Sequence, residues 1–383
     1  MALILTGSSG STTLDSSAGL TFSDSSNQQY AASPYVLKNR IINGAMVIDQ
    51  RNAGASYSAV NGGYSLDRWK TVSYSSGGVT GKFTVQQNAN SVTPPAGFKN
   101  YLGVTSSAAT TISADTIYAV TQPIEGYNIS DLGYGASGAA TITLSFWVRS
   151  SLTGTFGGSL TNNNADRCYP FSYTISSANT WEQKTITIAG DTTGTWLTTN
   201  GIGINTIFGL GGGSSWSATA GSWTSSLAYT ATGATNFVST NAATWYITGV
   251  QLEVGSTATP FERRLYNQEL ANCQRYYYKW INDTAGAVDI AVFQNYAGGS
   301  SFGKLFDYPV TMRATPTATS SGTFKPYNST GTVQAAYTSF NPDDITKQNV
   351  GGGAWTGSSG LTAGYATGIQ AAANSFIAVT AEL

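Results

Sequence analysis

Residues 141–149 read TITLSFWVR. On an extended chain Ile142, Leu144, Phe146 and Val148 fall on one side; Thr143, Ser145, Trp147 and Arg149 fall on the other. Alternation of period two marks a strand with one face in a core. The pattern recurs on both sides of this stretch. In VTGKFTVQ (79–86), Val79, Gly81, Phe83 and Val85 alternate with Thr80, Lys82, Thr84 and Gln86. In TWYITGVQLEV (244–254) the spacing predicts Tyr246, Val250, Leu252 and Val254 inward, and Trp245, Ile247, Gln251 and Glu253 outward. Gly, Asn and Ser turns separate these runs, and no helical pattern interrupts them before residue 257. The expectation for residues 39–256 is an antiparallel sandwich.

GVQLEVGSTATPFERRLYNQELANCQRYYYKW (249–280) departs from that pattern. No Asp, Glu, Lys or Arg occurs from Thr192 to Leu252; charges then cluster from Glu253 to Lys279. Thr259 and Glu262 have capping-box spacing, and Pro260 suits a first helical position. Glu262 would meet the positive end of the helix dipole, Arg275 and Lys279 the negative end. A helix is therefore predicted over 257–280. Its apolar positions Tyr266, Leu270, Cys273, Tyr277 and Trp280 are spaced as a heptad seam. The seam either docks on its own domain or meets its copies on a symmetry axis. Beyond it, AVDIAVFQNY, ATPTATSS, TVQAAYTSF and SFIAVTAEL read as strands of a second β unit, 281–383, joined by Gly-rich turns such as VGGGAWTGSSG (350–360). Residues 1–38 are rich in Ser and poor in bulky apolar residues, too poor to fold alone. They are expected as an extended arm, either disordered or ordered only against a larger particle.

Composition narrows the chemistry. The 383 residues are 41% hydrophobic and 12% aromatic, enough for packed cores, but only 10% charged; typical soluble domains hold about 25%. Net charge is −1 with no basic stripe, so no nucleic-acid partner is expected. The absence of histidine excludes Ser-His-Asp and Cys-His catalysis and His-bearing zinc sites, leaving paired carboxylates as the catalytic option. Cys168 and Cys273 are expected as free thiols, which fits folding in a reducing cytoplasm. MALILTGSSG lacks the basic flank of a signal peptide. No apolar stretch approaches the roughly 20 residues that span a bilayer, so membrane insertion is not expected.

Several stretches, taken in order, resemble bacteriophage tail-fibre and related virion proteins. They are NRIINGAMVIDQRNAG (39–54), SLDRW (65–69), QPIEGYNISDLGYG (122–135), LSFWVRSSLTGTFGGSL (144–160) and TWEQKTITIAGDTTGTW (180–196), followed by GVQLEVGSTATPFERR (249–264), ELANCQRYYYK (269–279) and FDYPVTMRATPT (306–317). The resemblance covers most of the chain after residue 38, and none of its motifs is catalytic. It implies a carbohydrate-binding-module-like jelly roll of the galactose-binding-like kind over 39–256, a linking helix over 257–280 and a distal β domain over 281–383. It also implies a homotrimer that engages host surface glycans, is made in the host cytoplasm, and is held in the virion by an arm, here 1–38, that meets tail or baseplate proteins. No enzymatic activity is expected. The competing expectations are a purely structural adaptor, capsid fibre or decoration protein, and a depolymerase tailspike.

Against that frame, outward aromatics are the glycan-binding candidates. A sugar ring lays its C–H face on an aromatic ring while amides and charges bond its hydroxyls. Trp147 with Arg149 and Trp245 with Gln251 are the strand candidates; Trp216, Trp223 and Trp355 are candidates on Gly-rich loops. Tyr266, Leu270, Cys273, Tyr277 and Trp280 are the trimer-interface candidates. Asp166 and Asp191, in Asn- and Gly-rich loops, are candidate ligands of a structural calcium, which jelly rolls of this resemblance often hold. Asp343-Asp344 is expected in a solvated turn, and Asp67-Arg68 as a local charge pair. GLGGGSS (209–215) lacks the Lys-Ser/Thr of a phosphate cradle.

Overall fold

Eleven strands build the sandwich, and their order follows from which faces must meet. They are β1 (Tyr57–Ser58), β2 (Lys70–Tyr74), β3 (Phe83–Gln87), β4 (Leu102–Ser106), β5 (Ile117–Glu125), β6 (Ile142–Ser150), β7 (Gly154–Thr161), β8 (Cys168–Ile175), β9 (Glu182–Ile188), β10 (Ile202–Gly212) and β11 (Thr244–Val254). In this computed structural model a five-stranded sheet runs β8-β7-β10-β5-β2, and a six-stranded sheet runs β9-β6-β11-β4-β3-β1. Neighbours within both sheets are antiparallel. The fold is the expected mostly-β, jelly-roll-like sandwich. The structure describes residues 20–21, 27–28, 38–75, 81–295, 301–302, 306–327, 333–359 and 361–383. Met1–Lys38 and Asn39–Leu383 are separate compact units. In the first, Leu20–Thr21 pairs antiparallel with Asn27–Gln28; the rest of the arm lies outside the described residues.

The inner faces carry the residues that the alternation assigns to them. Phe83, Val85, Leu144, Phe146 and Val148 are fully buried, as are Phe208 from the facing sheet and Trp69, the residue before β2. Aromatic edges lock the layers: Phe146 meets Phe208 and Tyr173, each at 5.1 Å between centroids. Burial of this continuous apolar layer is the dominant stabilising term.

In β11 the predicted phase holds only from Val250 onward. Trp245 is 0% exposed and faces the core, where its Nε1 donates to the Tyr173 hydroxyl at 3.2 Å and its ring lies 6.0 Å from Phe208. Tyr246, expected inward, faces out. The cause is a register break between Thr248 and Gln251 on the β6 side, which inserts a residue and flips the parity. Gly249 makes the break possible. Its φ is +61°, and a Cβ there would meet the Phe98 ring at 2.5 Å.

The linking segment is also rebuilt. Helix α1 spans Tyr266–Gln274, with Leu265 rather than Thr259 at its N-cap. Thr259 instead donates to Glu253, and the Glu262 amide donates to Gln251 Oε1 at 2.7 Å, so residues 255–264 strap the sandwich. Glu262 in turn accepts the Asn39 amide. Tyr277 and Trp280 belong to a strand, β12 (Tyr277–Ile281), so the heptad seam does not exist as a helical face. Of its helical members, Tyr266 is exposed, Leu270 partly buried, and Cys273 fully buried within the protomer. The 4-3-4-3 spacing runs across a helix–strand boundary, where a heptad count loses its meaning.

Strand β12 enters a three-stranded sheet with β13 (Thr317–Ser321) and β14 (Phe376–Thr380), β14 in the middle. A seven-stranded sheet includes Val288–Asn295, Ser339–Ile345, Asn349–Thr356 and Ala366–Ala371. Its apolar cluster, with Phe293, Phe324, Val350, Trp355, Ile369, Ile377 and Val379, is distinct from that of the sandwich. Residues 350–356 of the Gly-rich stretch expected as a turn lie in the strand Asn349–Thr356, paired with Ser339–Ile345; 357–359 are outside it and 360 lies outside the described residues. Asp343-Asp344 is likewise in that partner strand rather than a turn. Glycine weakens a strand but is used where other groups approach closely.

Buried charges join the C-terminal sheets to the sandwich. Glu382 pairs with Arg51 at 2.6 Å and with the buried Arg68, whose guanidinium lies 3.6 Å from the centroid of the Tyr276 ring. Arg275 forks onto Glu125 at 2.7 and 3.0 Å. Asp67 does not pair with Arg68; it accepts the Gln50 amide and side chain at 2.7 and 2.6 Å. Burial pushes its carboxyl up to about 6, with Arg51 and Gln50 opposing.

Candidate functional site

The outer face of the six-stranded sheet is where side chains are held in place without all their polar atoms being used. In β6, Trp147 and Arg149 point outward, opposite the four core residues of the same strand. Trp147 stands across from Gln183 of β9 and Thr248 of β11. Arg149 stands across from Tyr246. β9 is an edge strand with Gln183, Thr185 and Thr187 exposed, so the face opens to solvent on that side.

Beside Trp147 an aromatic cluster braces the face. Tyr101 packs against Tyr246 at 5.1 Å and Trp181 at 5.6 Å. Residues 88–101 tie the cluster down. Asn90 Nδ2 donates to the Tyr246 hydroxyl at 2.7 Å, Trp181 Nε1 to the Thr93 carbonyl at 2.9 Å, and Thr248 Oγ1 to the Asn100 carbonyl at 2.7 Å. Burial holds the Tyr101 hydroxyl above its ordinary pKa, which keeps it a neutral donor and acceptor. Arg149 Nε donates to the Asn179 carbonyl at 2.9 Å, and its guanidinium lies 5.4 Å from the Tyr246 ring centre. Trp147 is partly buried. Among the described residues its indole has neither a ring partner nor a hydrogen bond. The arrangement is a flat apolar plate rimmed by an amide, hydroxyls and a guanidinium.

Of the predicted glycan-binding residues the structure brings Trp147 and Arg149 together. The others go elsewhere. Trp245 is in the core. Gln251 is 0% exposed: it faces outward but is sealed by the strap, bonding Glu253 and Thr259. Trp355 is 2% exposed, sandwiched between Phe324 and Phe340 at 4.5 Å each. Trp216 is partly buried between Tyr74 and Tyr229 and donates to the Asp115 carbonyl. Trp223 packs against Tyr134, Tyr169 and Trp196 and donates to the Ala189 carbonyl. Both loop tryptophans therefore anchor their loops to the sandwich.

Two members of the face escaped the sequence reading. Tyr246 was assigned to the wrong side by the β-bulge. Trp181 carried a usable signal: Trp181, Gln183, Thr185 and Thr187 alternate with Glu182, Lys184, Ile186 and Ile188, which places Trp181 outward beside an all-polar row.

The calcium candidates are engaged with protein partners. Arg167 forks onto Asp191 at 2.7 and 2.8 Å, and Asp166 accepts Asn162 Nδ2 at 2.6 Å. Burial raises the Asp191 carboxyl, but Arg167 and Thr193 outweigh it and leave its pKa lowered. Among the described residues no group of three or more His, Cys, Asp and Glu is placed to hold a metal ion. Cys168 and Cys273 are free and buried. A cleft of about 90 Å³ between residues 39–47 and 261–269 is crossed by the strap's own bonds, such as Arg264 to Glu269 at 3.2 Å.

No protein-family model matches the chain, and no curated protein matches it. Solved structures with similar parts include tailspike protein 4 of bacteriophage CBA120 (13% identity, TM-score 0.28, covering 51% of this chain and 21% of that one). They also include a putative sugar-binding protein from Bacteroides thetaiotaomicron (12%, 0.32, 57% and 100%). A third is the carbohydrate-binding module TmCBM61 in complex with β-1,4-galactotriose (9%, 0.27, 57% and 99%). The chain thus spans about a fifth of the tailspike's length.

Proposed function

We propose that the Trp147 face binds a surface glycan of a bacterial host, and that the chain serves a phage virion as a non-enzymatic fibre protein. One observation carries the binding role. Trp147 is a large indole on a central strand that, among the described residues, has neither a ring partner nor a hydrogen bond, next to Gln183, Thr185 and Arg149. A pyranose ring can stack its C–H face on that indole, displacing water from apolar surface. Gln183, Thr185 and Arg149 then offer donors and acceptors to its hydroxyls. Such a shallow face binds weakly alone, and linked copies multiply the affinity.

The fibre role rests on the ordered motifs resembling tail-fibre proteins. That resemblance also implies the homotrimer and the attachment of residues 1–38 to tail or baseplate proteins. With Cys273 and Tyr277 buried in the protomer, the apolar residues that the linking segment leaves to a neighbour are Leu265 and Tyr266, 83% and 60% exposed.

Purified protein on an array of bacterial polysaccharides tests the binding role. Wild type is expected to bind a subset, and Trp147→Ala to lose about tenfold or more in affinity with its melting unchanged. Binding untouched by Trp147→Ala would move the site off this face.

A further inference from the structure

We infer that the glycan held by this face is acidic, with a sugar carboxylate on Arg149 and a ring on Trp147; the inference rests on the binding role proposed above. Charges are scarce in this chain, and its arginines are mostly spent on carboxylates. Arg40, Arg51, Arg68, Arg167, Arg264 and Arg275 each have an acidic partner. Arg313 donates from all three nitrogens to the carbonyls of Ala381, Asn200 and Glu382.

Of the remaining two, Arg263 and Arg149, neither has a carboxylate partner among the described residues; Arg263 is exposed, with its guanidinium over the Phe98 and Phe261 rings, whereas Arg149 is fixed on this face. Its Nε is fixed on the Asn179 carbonyl and its plane lies by the Tyr246 ring, which orients the fork. Among the described residues its two terminal nitrogens have no hydrogen-bond partner and no carboxylate pairs with it. The residues facing it and Trp147 across the strands are neutral: Tyr246, Gln183 and Thr248. The nearest acidic side chain along β9, Glu182, is held by the amides of Ser176 and Ser177 and by Lys184. Glu253, on the far half of the face, is held by Thr259 and Gln251.

A guanidinium with Nε anchored and its outer edge free matches a carboxylate in two parallel hydrogen bonds. Arg149 and Trp147 are two positions apart on one strand, about 7 Å. One sugar ring with its exocyclic acid group reaches from one to the other. A hexuronate or a sialate has that shape. A phosphorylated sugar shares the charge but not the planar two-oxygen edge.

The test is an array that pairs uronate- and sialate-bearing polysaccharides with their carboxyl-reduced forms and includes phosphorylated glycans, probed with the full chain. The acidic member of a bound pair is expected to bind about 10- to 100-fold more tightly. In Arg149→Gln that ratio falls toward one; Arg149→Lys keeps the charge, loses the fork and retains part of the ratio. Equal binding within pairs overturns the carboxylate assignment and leaves glycan binding standing. So does a preference for phosphorylated over carboxylated glycans. No binding in any arm overturns both. Melting curves of both variants that match wild type show that the ratio reports recognition rather than unfolding.

Discussion

The outer face of the six-stranded sheet has two halves, built from the same two strands, β6 and β11, on either side of one β-bulge. Before the bulge, Tyr246 and Thr248 stand beside Arg149 and Trp147. After it, Gln251 and Glu253 stand beside Ser145 and Thr143. Both halves are polar in sequence. In the second half the long side chains and Thr143 are consumed: Gln251 and Glu253 bond each other, Thr259 and the Glu262 amide, and Thr143 donates to the Gly255 carbonyl. In the first half Trp147 and the Arg149 fork are positioned but not consumed. Polar residues on an outer face thus do two jobs, and only the census of partners separates them. The sealed half attaches the strap that leads to α1 and the C-terminal sheets; the open half is left for a ligand.

The largest expected effect lies in the sealed half. Glu253→Ala would remove the acceptor of the Thr259 amide and hydroxyl and one of the acceptors of the Gln251 side-chain amide, which also donates to the Thr259 carbonyl. Loss of about 3–5 kcal/mol of stability is expected, measured by urea denaturation. A loss below about 1 kcal/mol would show that the strap is not anchored there.

Asp67 extends the contrast to pH, because it too is sealed. Its carboxyl ordinarily titrates at 3.8 and is raised to about 6 in the fold, so the folded chain holds the proton more tightly than the unfolded chain. Its contribution is full below about pH 4 and is lost as pH rises through 6, by about 3 kcal/mol in all. The stability difference between wild type and Asp67→Asn should therefore change across that window and be flat above it. A difference that is constant from pH 4 to pH 7 would contradict the buried placement.

Smaller effects are expected in the open half, and in binding rather than stability. Trp147→Ala should cost less than about 1 kcal/mol in folding. Gln183→Ala, at the rim, should weaken binding by only a few-fold, about 0.5–1 kcal/mol. If either variant melts well below wild type while binding is kept, the two halves do not differ as described.

How much of this was legible in the sequence depended on whether the local period was unbroken. In β6 the alternation runs through nine residues without a bulge, and every inward and outward assignment holds. In β11 one inserted residue at Gly249 reversed the assignments of Trp245, Tyr246 and Ile247, which lies in the core, and no side-chain pattern marked it. The Tyr266–Trp280 spacing imitated a heptad because a helix ends at Gln274 and a strand begins at Tyr277. There Tyr278 and Trp280 pack on the C-terminal cluster with the two-residue period of a strand. Trp355 looked exposed because glycines around it read as a loop, whereas its burial depends on Phe324 and Phe340, which pairing brings from elsewhere in the chain. Trp147 and Arg149 were found because they needed only the unbroken strand.

The most direct test of the open half is the indole N–H spectrum of the nine tryptophans, with the Trp147 signal assigned by its loss in Trp147→Phe. On titration with a polysaccharide that the protein binds, the Trp147 signal is expected to shift while those of the core residues Trp245 and Trp355 stay in place. Saturable binding with the Trp147 signal unmoved would contradict the account.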